Sequence, residues 1–400
     1  MSEPGSEPWR RTQATRLIDF GRGAALPGGG FGWLDDNGRV DPTKPCPLYV
    51  NARMIHVFSL AHLDGAHGAG ELASSGLEAL ATHYADAEHG GWFSAVDLSG
   101  QVVDPAKMNY AHAHVLLATA SATAAYLPGA DALLEAAVAA IERYFWSDEE
   151  GCALESWNAG FTESEPYRGA NSNMHSVEAY LAAGDVTGDT IWHVRAMSIA
   201  ARLIDRYARA NAWRVPEHFT ETWQPLPEYN HDRPSDMFRP YGTTPGHSFE
   251  WARLLLDLEE ATAAPLDWLL EAATALFDTA VADSRDRDGH PGFVYTVGTD
   301  GQPVITARLH WVACEAVLAA DALHRRTGQE RFAAAAAQWW DEIDRYFVDR
   351  KGGSWWHELT PEMTPAASTW SGKPDIYHAY QAVLFPSLPL SPAAAVALGA

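Results

Sequence analysis

The feature that most constrains this chain is a segment that returns. GGFGWLDDNGRVDP begins at Gly29 and HGGWFSAVDLSGQVVDP begins at His89, so a glycine-rich, aromatic, Asp-Gly hairpin signature recurs after 60 residues. Segments of the same character follow as EEGCALESW from Glu149, GHPGFVYTVGTDGQPV from Gly289 and KGGSWWHEL from Lys351. The interval from 149 to 289 holds two periods. Its midpoint falls near ANAWRVPEHFTETW (210–223), which has the aromatic character but no glycine pair, and which leads into a proline-rich insertion reaching Pro245. The chain therefore reads as six units of about 60 residues, the fourth degenerate and expanded. Such units bury a continuous core only by packing on their neighbours.

Between the hairpins the periodicity is helical. Residues 129–146, 190–210, 265–282 and 330–347 place apolar side chains at helical spacing with charged opposite faces. A second class follows each hairpin: NARMIHVFSLAHL, NYAHAHVLLATASA, NSNMHSVEAYLAA, PGHSFEWARLLLDL, LHWVACEAVLAADAL and IYHAYQAVLF. These are apolar around more of their circumference, which predicts an inner set. Two helices per unit, six times, predict an all-α (α/α)6 barrel with short β-hairpins in the loops at one end. A single domain over residues 1–400 is expected, with short tails at about 1–12 and 392–400.

Charge and cysteine usage exclude several classes. With 52 acidic and 28 basic residues the net charge is −24, and no Lys/Arg block interrupts it. That is not the footprint of a nucleic-acid or anionic-membrane binder. The N-terminal MSEPGSEPWRR lacks the apolar core of a secretory signal, and no apolar run reaches membrane-spanning length. Cys46, Cys152 and Cys314 are isolated and without CxxC spacing. A reduced cytoplasmic protein is expected, with a small-molecule substrate and neither disulfide nor zinc ribbon. Homo-oligomerisation stays open, because apolar stripes on outer helices serve a core or an interface equally.

Each inner segment carries a polar cluster in its first turns: Arg53 and His56; Tyr110, His112 and His114; Asn171, Asn173 and His175; His247 and Glu250; His310 and Glu315; Tyr377 and His378. A lone histidine at such a place is ordinarily a core or capping residue, and His83, His193, His218, His324 and His357 are read that way. Six clusters at one repeat phase predict a convergent pocket. Trp92, Trp311, Trp355, Trp356 and Trp370 are candidates for flat apolar walls against sugar C–H bonds. Two histidines act as acid and base near neutral pH, and with a cation such as Arg53 they suit proton transfer next to a carbonyl. Glu250, three residues after His247, either orients that imidazole or binds a hydroxyl.

The segments RGANSNMHSVEAYLAAGDVTGD, PGHSFEWARLLL, LHWVACEA and GKPDIYHAYQAV resemble, in matching order, motifs of the N-acylglucosamine 2-epimerase superfamily, which includes cellobiose 2-epimerases, mannose isomerases and sulfoquinovose isomerases. The resemblance implies the same (α/α)6 barrel. It implies catalytic roles for His247 and His378, and sugar contacts for Arg53, Asn171, His175 and Glu250. Tyr110, Trp311, Arg239 and Gln381 complete the expected substrate-binding set, Arg239 and Gln381 as candidates for an anionic substituent. The single Trp311 after His310 and the KPDIYHAYQA ending resemble the isomerase branch, implying interconversion of D-mannose and D-fructose, with D-lyxose as a further substrate and no cofactor or metal. Sulfoquinovose isomerisation and 2-epimerisation of a mono- or disaccharide are the near alternatives.

Three other classes stay open on the residues themselves. A glycoside hydrolase on the same fold needs two facing carboxylic acids, and Glu155, Glu163, Glu165 and Glu250 are available. A metal enzyme would draw on His112-x-His114 or His247-x-x-Glu250, which are weak ligand spacings. A non-catalytic sugar-binding repeat is the third.

Overall fold

The computed structural model describes residues 2–264 and 266–400. Met1, in the expected N-terminal tail, and Pro265, at an expected helix start, lie outside the described residues. The helices are α1 (Glu7–Gly21), α2 (Leu48–Leu63), α3 (Ala69–Ala79), α4 (Asn109–Ala124), α5 (Ala130–Ala140), α6 (Ala170–Thr187), α7 (Ile191–Ala200), α8 (Pro245–Ala261), α9 (Trp268–Ser284), α10 (His310–Thr327), α11 (Glu330–Glu342), α12 (Tyr377–Leu384) and α13 (Ala394–Gly399). All six apolar segments expected as inner helices are helical, as α2, α4, α6, α8, α10 and α12. Two helices, α1 and α13, occupy stretches that overlap the expected tails. No helix among the described residues is long and apolar enough to cross a membrane.

Burial separates the two helix classes as the patterns predict. Every residue of α2 from Leu48 to Ala61 is buried, and α4 is buried from Asn109 to Ala122. By contrast α3 and α5 bury stripes such as Ala69, Ala73, Leu77 and Ala130, Leu134, Ala137. That is the difference between a helix surrounded by protein and one with a solvent face.

Two compact units are present. One comprises Ile18–Ile199, Lys373–Tyr377 and Pro392–Ala400. Within it α2 packs on α4 and α4 on α6, α3 and α5 cover α2 and α4, and α13 lies against α2, α4 and α6. The other comprises the residues up to Leu17, Ala200–Gly372 and His378–Ser391. There α8 packs on α10, with α9 on α8 and α11 on α10. In each unit the inner helices touch across an intervening outer helix of the sequence, as a repeated helical hairpin demands.

Short hairpins hold the inner helix starts. The amides of Leu48, Asn109 and His310 donate to the carbonyls of Ser94, Glu155 and His357 at 2.8, 2.8 and 3.1 Å, so the hairpin that follows satisfies an N-terminal amide the helix itself cannot. A buried cation two residues before the helix staples the preceding turn to it. Lys107 Nζ lies 2.8 Å from Asp86, Arg168 makes two 2.8 Å bonds to Glu150, and Arg308 grips Asp288 at 2.6 and 2.9 Å. Outer helices α3, α5 and α11 end alike, in a π-helical turn whose last aromatic, Tyr84, Phe145 or Phe347, is buried.

The degenerate fourth hairpin begins on left-handed residues that are not glycine. Gly90 and Gly91 of the second hairpin have φ of +83° and +63°, and after the outer helix of the fourth unit Ala212 and Trp213 sit at +51° and +64°. A left-handed conformation costs a residue with a Cβ roughly 1–2 kcal/mol. Packing around Val215 and Phe219, both buried, holds the turn in place. Residues 221–244 then run without helix, as the proline-rich sequence predicts.

Candidate active site

In the second unit the first turns of α8, α10 and α12 meet. His247, in the first turn of α8, is 8% exposed, and its Nδ1 lies 2.9 Å from Glu217 Oε1. His378, the second residue of α12, is 7% exposed, with Nδ1 2.8 Å from Glu315 Oε1. A carboxylate only accepts, so Nδ1 carries the proton in both rings. Glu315 is completely buried and lies 3.5 Å from Arg253 Nε, and Arg253 also binds Asp257 at 3.1 Å. The Arg253 charge favours the ionised carboxylate that His378 needs.

One indole joins the two histidines. The Trp311 ring is 5.2 Å from the His247 ring and 5.7 Å from the His378 ring, tilted 33° and 35°. Trp311 is half-buried, and its ring rests against Gly246, where an added Cβ would come within 2.5 Å of Cζ3. Glu250 is buried one helical turn after His247, and the fully buried Gln381 lies three residues after His378. His310 closes the group, stacked on His357 at 3.9 Å and edge-on to His378 at 6.4 Å. Arg239 belongs to the 221–244 insertion and reaches Tyr229 Oη at 3.3 Å.

In the first unit the starts of α2, α4 and α6 meet in the same manner. Arg53 donates from Nε to His114 Nε2 at 3.0 Å and from Nη2 to Tyr110 Oη at 2.8 Å, and its Nη1 is 3.5 Å from Asp375. Its guanidinium also lies 4.6 Å from the Tyr377 ring. Burial alone would lower the Arg53 pKa, but Tyr110, Asp375, Tyr377 and Tyr49 outweigh it and hold it above the ordinary value. His175 packs on Tyr110 at 5.1 Å and on His114 at 4.6 Å, with Nδ1 3.9 Å from Glu178. Tyr377 Oη donates to Glu178. Asn171 is half-buried in the first turn of α6.

Several expectations are corrected by this geometry. His112-x-His114 is no ligand pair: His112 donates from Nδ1 to the Met108 carbonyl at 2.8 Å and accepts the Trp92 amide at Nε2, while His114 donates to the Tyr110 carbonyl and accepts from Arg53. All four ring nitrogens are engaged. Burial lowers the His112 pKa to about 3, and burial followed by the charges of Arg53 and His175 drives that of His114 well below its usual value. His56 lies behind the cluster, hydrogen-bonded to Ser121 Oγ at 2.7 Å, with its pKa lowered by burial to about 4. Trp92 and Trp355 are core: the Trp92 indole donates to the Leu80 carbonyl, and Trp355 packs with Trp9 and Trp340. The carboxylate on His247 Nδ1 is Glu217 rather than Glu250. Glu217 escaped the sequence reading because it lies in the degenerate hairpin, while His357, buried and stacked on His310, fits the core or capping class expected of it.

The N-acylglucosamine 2-epimerase (GlcNAc 2-epimerase) family pattern matches residues 29–382, and the chain belongs to that family of sugar isomerases and epimerases. Among its relatives are D-mannose isomerase of Thermobifida fusca, 51% identical over 98% of this chain and 96% of the relative, and D-mannose isomerase of Pseudomonas cannabina pv. alisalensis, 47% identical over 100% and 96%. A crystal structure of D-mannose isomerase covers 96% of this chain and 99% of its own, with a TM-score of 0.90 and 28% identity. The all-α, (α/α)6 class expected from the repeat is the fold class of the protein.

Proposed function

We propose that the protein interconverts D-mannose and D-fructose through an enediolate, with His378 moving the carbon-bound proton and His247 the oxygen-bound ones. The observation that carries this reading is the pair of buried imidazoles on one indole, each with Nδ1 committed to a buried carboxylate. The names of two relatives at about half identity support the substrate.

In the proposed sequence His247 first serves ring opening, taking the proton of the C1 hydroxyl and returning one to the ring oxygen as the C1–O5 bond breaks. His378 Nε2 then removes the C2 proton, and the electron pair moves into the C1–C2 double bond of the enediolate. Return of a proton from His378 to C1, with transfer of the O2 proton to O1 through His247, completes the ketose. No oxidant or reductant is consumed, since the hydride equivalent stays within the sugar. Each proton step of this kind contributes about 10²–10⁴-fold when the acid or base is held in place.

For the sugar contacts, Trp311 offers a half-buried flat face beside both histidines, and Glu250 and Gln381 lie a turn beyond them on α8 and α12. Arg53, Tyr110, Asn171 and His175 are assigned to hydroxyl binding on the family resemblance and on their clustering at the starts of α2, α4 and α6. Arg239 is assigned to the edge of the site, its guanidinium held by Tyr229. Proton NMR of the protein with D-mannose in deuterated water tests the reading. Fructose with deuterium at C1 is expected; glucose without fructose makes the protein a 2-epimerase, and unchanged mannose refutes the substrate.

A further inference from the structure

Glu217 occupies a position that no motif marks. It lies in the fourth hairpin, immediately before the short strand His218–Thr220, and its side chain is 4% exposed. One oxygen, Oε1, serves two partners: His247 Nδ1 at 2.9 Å and the backbone amide of Thr244 at 3.3 Å. Thr244 is the N-cap of α8, so one carboxylate fixes both the start of the helix and the ring carried in its first turn. An acid at a helix N-terminus is favoured by the exposed amides there. Because the carboxylate has no proton to give, the ring must present Nδ1–H to it.

The residue that follows anchors the same strand to the insertion. His218 Nε2 lies 2.8 Å from the Pro240 carbonyl, and its ring stacks on Tyr229 at 4.7 Å. Burial lowers the His218 pKa, which matches a neutral ring donating one proton to a carbonyl. The strand carrying Glu217 is thereby held from the insertion side while Glu217 holds the catalytic helix.

We infer that Glu217 is the positioning residue for His247, fixing its tautomer and ring orientation so that Nε2 is the proton-exchanging atom. This rests on the reading of His247 as an acid–base group, but the tautomer can be read without turnover. The degenerate fourth unit is on this account specialised, its glycine pair lost while its carboxylate serves the chemistry.

The test uses the full-length protein with Glu217→Gln and Glu217→Ala, measuring kcat and KM on D-mannose, the melting temperature, and the His247 ring nitrogens by ¹⁵N NMR assigned against His247→Asn. Glu217→Ala should lower kcat by about 10²-fold or more with KM changed by no more than about two-fold, because what is lost is the orientation of a proton-transfer group. Glu217→Gln, whose amide oxygen still accepts Nδ1–H, should recover part of the rate. The wild-type ring should be the Nδ1–H tautomer, and the alanine variant a mixture. A reduced melting temperature with kcat within about two-fold of wild type would make Glu217 a helix cap alone and overturn the inference. If the wild type turns over no aldose, the proposed function fails on its own, and the tautomer still decides: loss of the Nδ1–H form in the alanine variant sustains the inference, an unaltered ring in it refutes it. Should the alanine variant not fold, Glu217→Leu, close in volume and without an oxygen to accept Nδ1–H, decides by the same ring measurement.

Discussion

Gly246→Ala is the most discriminating single change at this site. A Cβ built on Gly246 would lie 2.5 and 2.6 Å from Cζ3 and Cη2 of Trp311 and 2.9 Å from Cγ2 of Val312. Carbon atoms in contact prefer about 3.5–4.0 Å, so the indole must retreat by roughly 1 Å. Overpacking of this kind costs about 1–3 kcal/mol, and the better helix propensity of alanine returns up to about 1 kcal/mol. The net loss of stability is therefore at most about 3 kcal/mol, no more than several degrees in melting temperature for a chain of this size. Activity should suffer far more, since the displaced ring is the wall shared by His247 and His378, and a misplacement of about 1 Å in a proton-transfer geometry costs about 10²-fold. The assay pairs initial rates of fructose formation with thermal unfolding and near-ultraviolet circular dichroism, which reports the tryptophan environment. Gly28→Ala is the control, because nothing lies within 4 Å of a Cβ there. A Gly246→Ala protein with wild-type kcat and an intact fold would refute the role given to the indole.

Three further outcomes follow from named contacts. Glu315→Ala leaves Arg253 and the His378 Nδ1–H without their buried carboxylate, which should cost about 3 kcal/mol in chemical denaturation and abolish most turnover, while Glu315→Gln keeps an acceptor and more of both; unchanged kcat in the alanine variant would count against the pairing. His56, held neutral with its pKa lowered to about 4, makes the fold acid-sensitive: below pH 6.5 the unfolded chain binds a proton the folded state refuses, so stability falls as pH drops from about 6.5 to about 4, by roughly 3 kcal/mol. His56→Asn should flatten the slope of melting temperature against pH over that window whatever its offset, and an identical slope would show that His56 titrates normally. Ala212→Gly relieves a left-handed residue that is solvent-exposed, and should raise stability by about 1 kcal/mol with activity unchanged; no gain would mean the turn is unstrained.

The repeat was the legible part because it is written in residues whose roles are local. Glycine pairs and Asp-Gly turns mark hairpins through backbone freedom, and helical apolar spacing marks inner helices through burial, so all six inner segments could be placed from the chain alone. The pairing of the two histidines with carboxylates was not legible in the same way, because it joins residues far apart in sequence. Glu315 lies 63 residues from His378, and Glu217 lies 30 from His247 in a hairpin whose glycines are gone. Glu250, three residues after His247 on the same helix face, was the carboxylate that local spacing suggested.

The cation staples were missed for a different reason. Lys107, Arg168 and Arg308 share one repeat phase, but a lysine and two arginines paired with an aspartate, a glutamate and an aspartate form no fixed motif. What the repeat conserves there is a charge pair that satisfies a buried turn, and chemically different residues meet that need. The histidines divide on the same physical ground. His112 and His114 share the phase of the proposed acid–base pair, yet their Nε2 atoms accept hydrogen bonds from the Trp92 amide and from Arg53. His247 and His378 instead meet a carboxylate at Nδ1. On the proposed mechanism a histidine at the right phase is a proton carrier where a distant acid fixes Nδ1, and that condition is set by tertiary pairing rather than by position in the repeat.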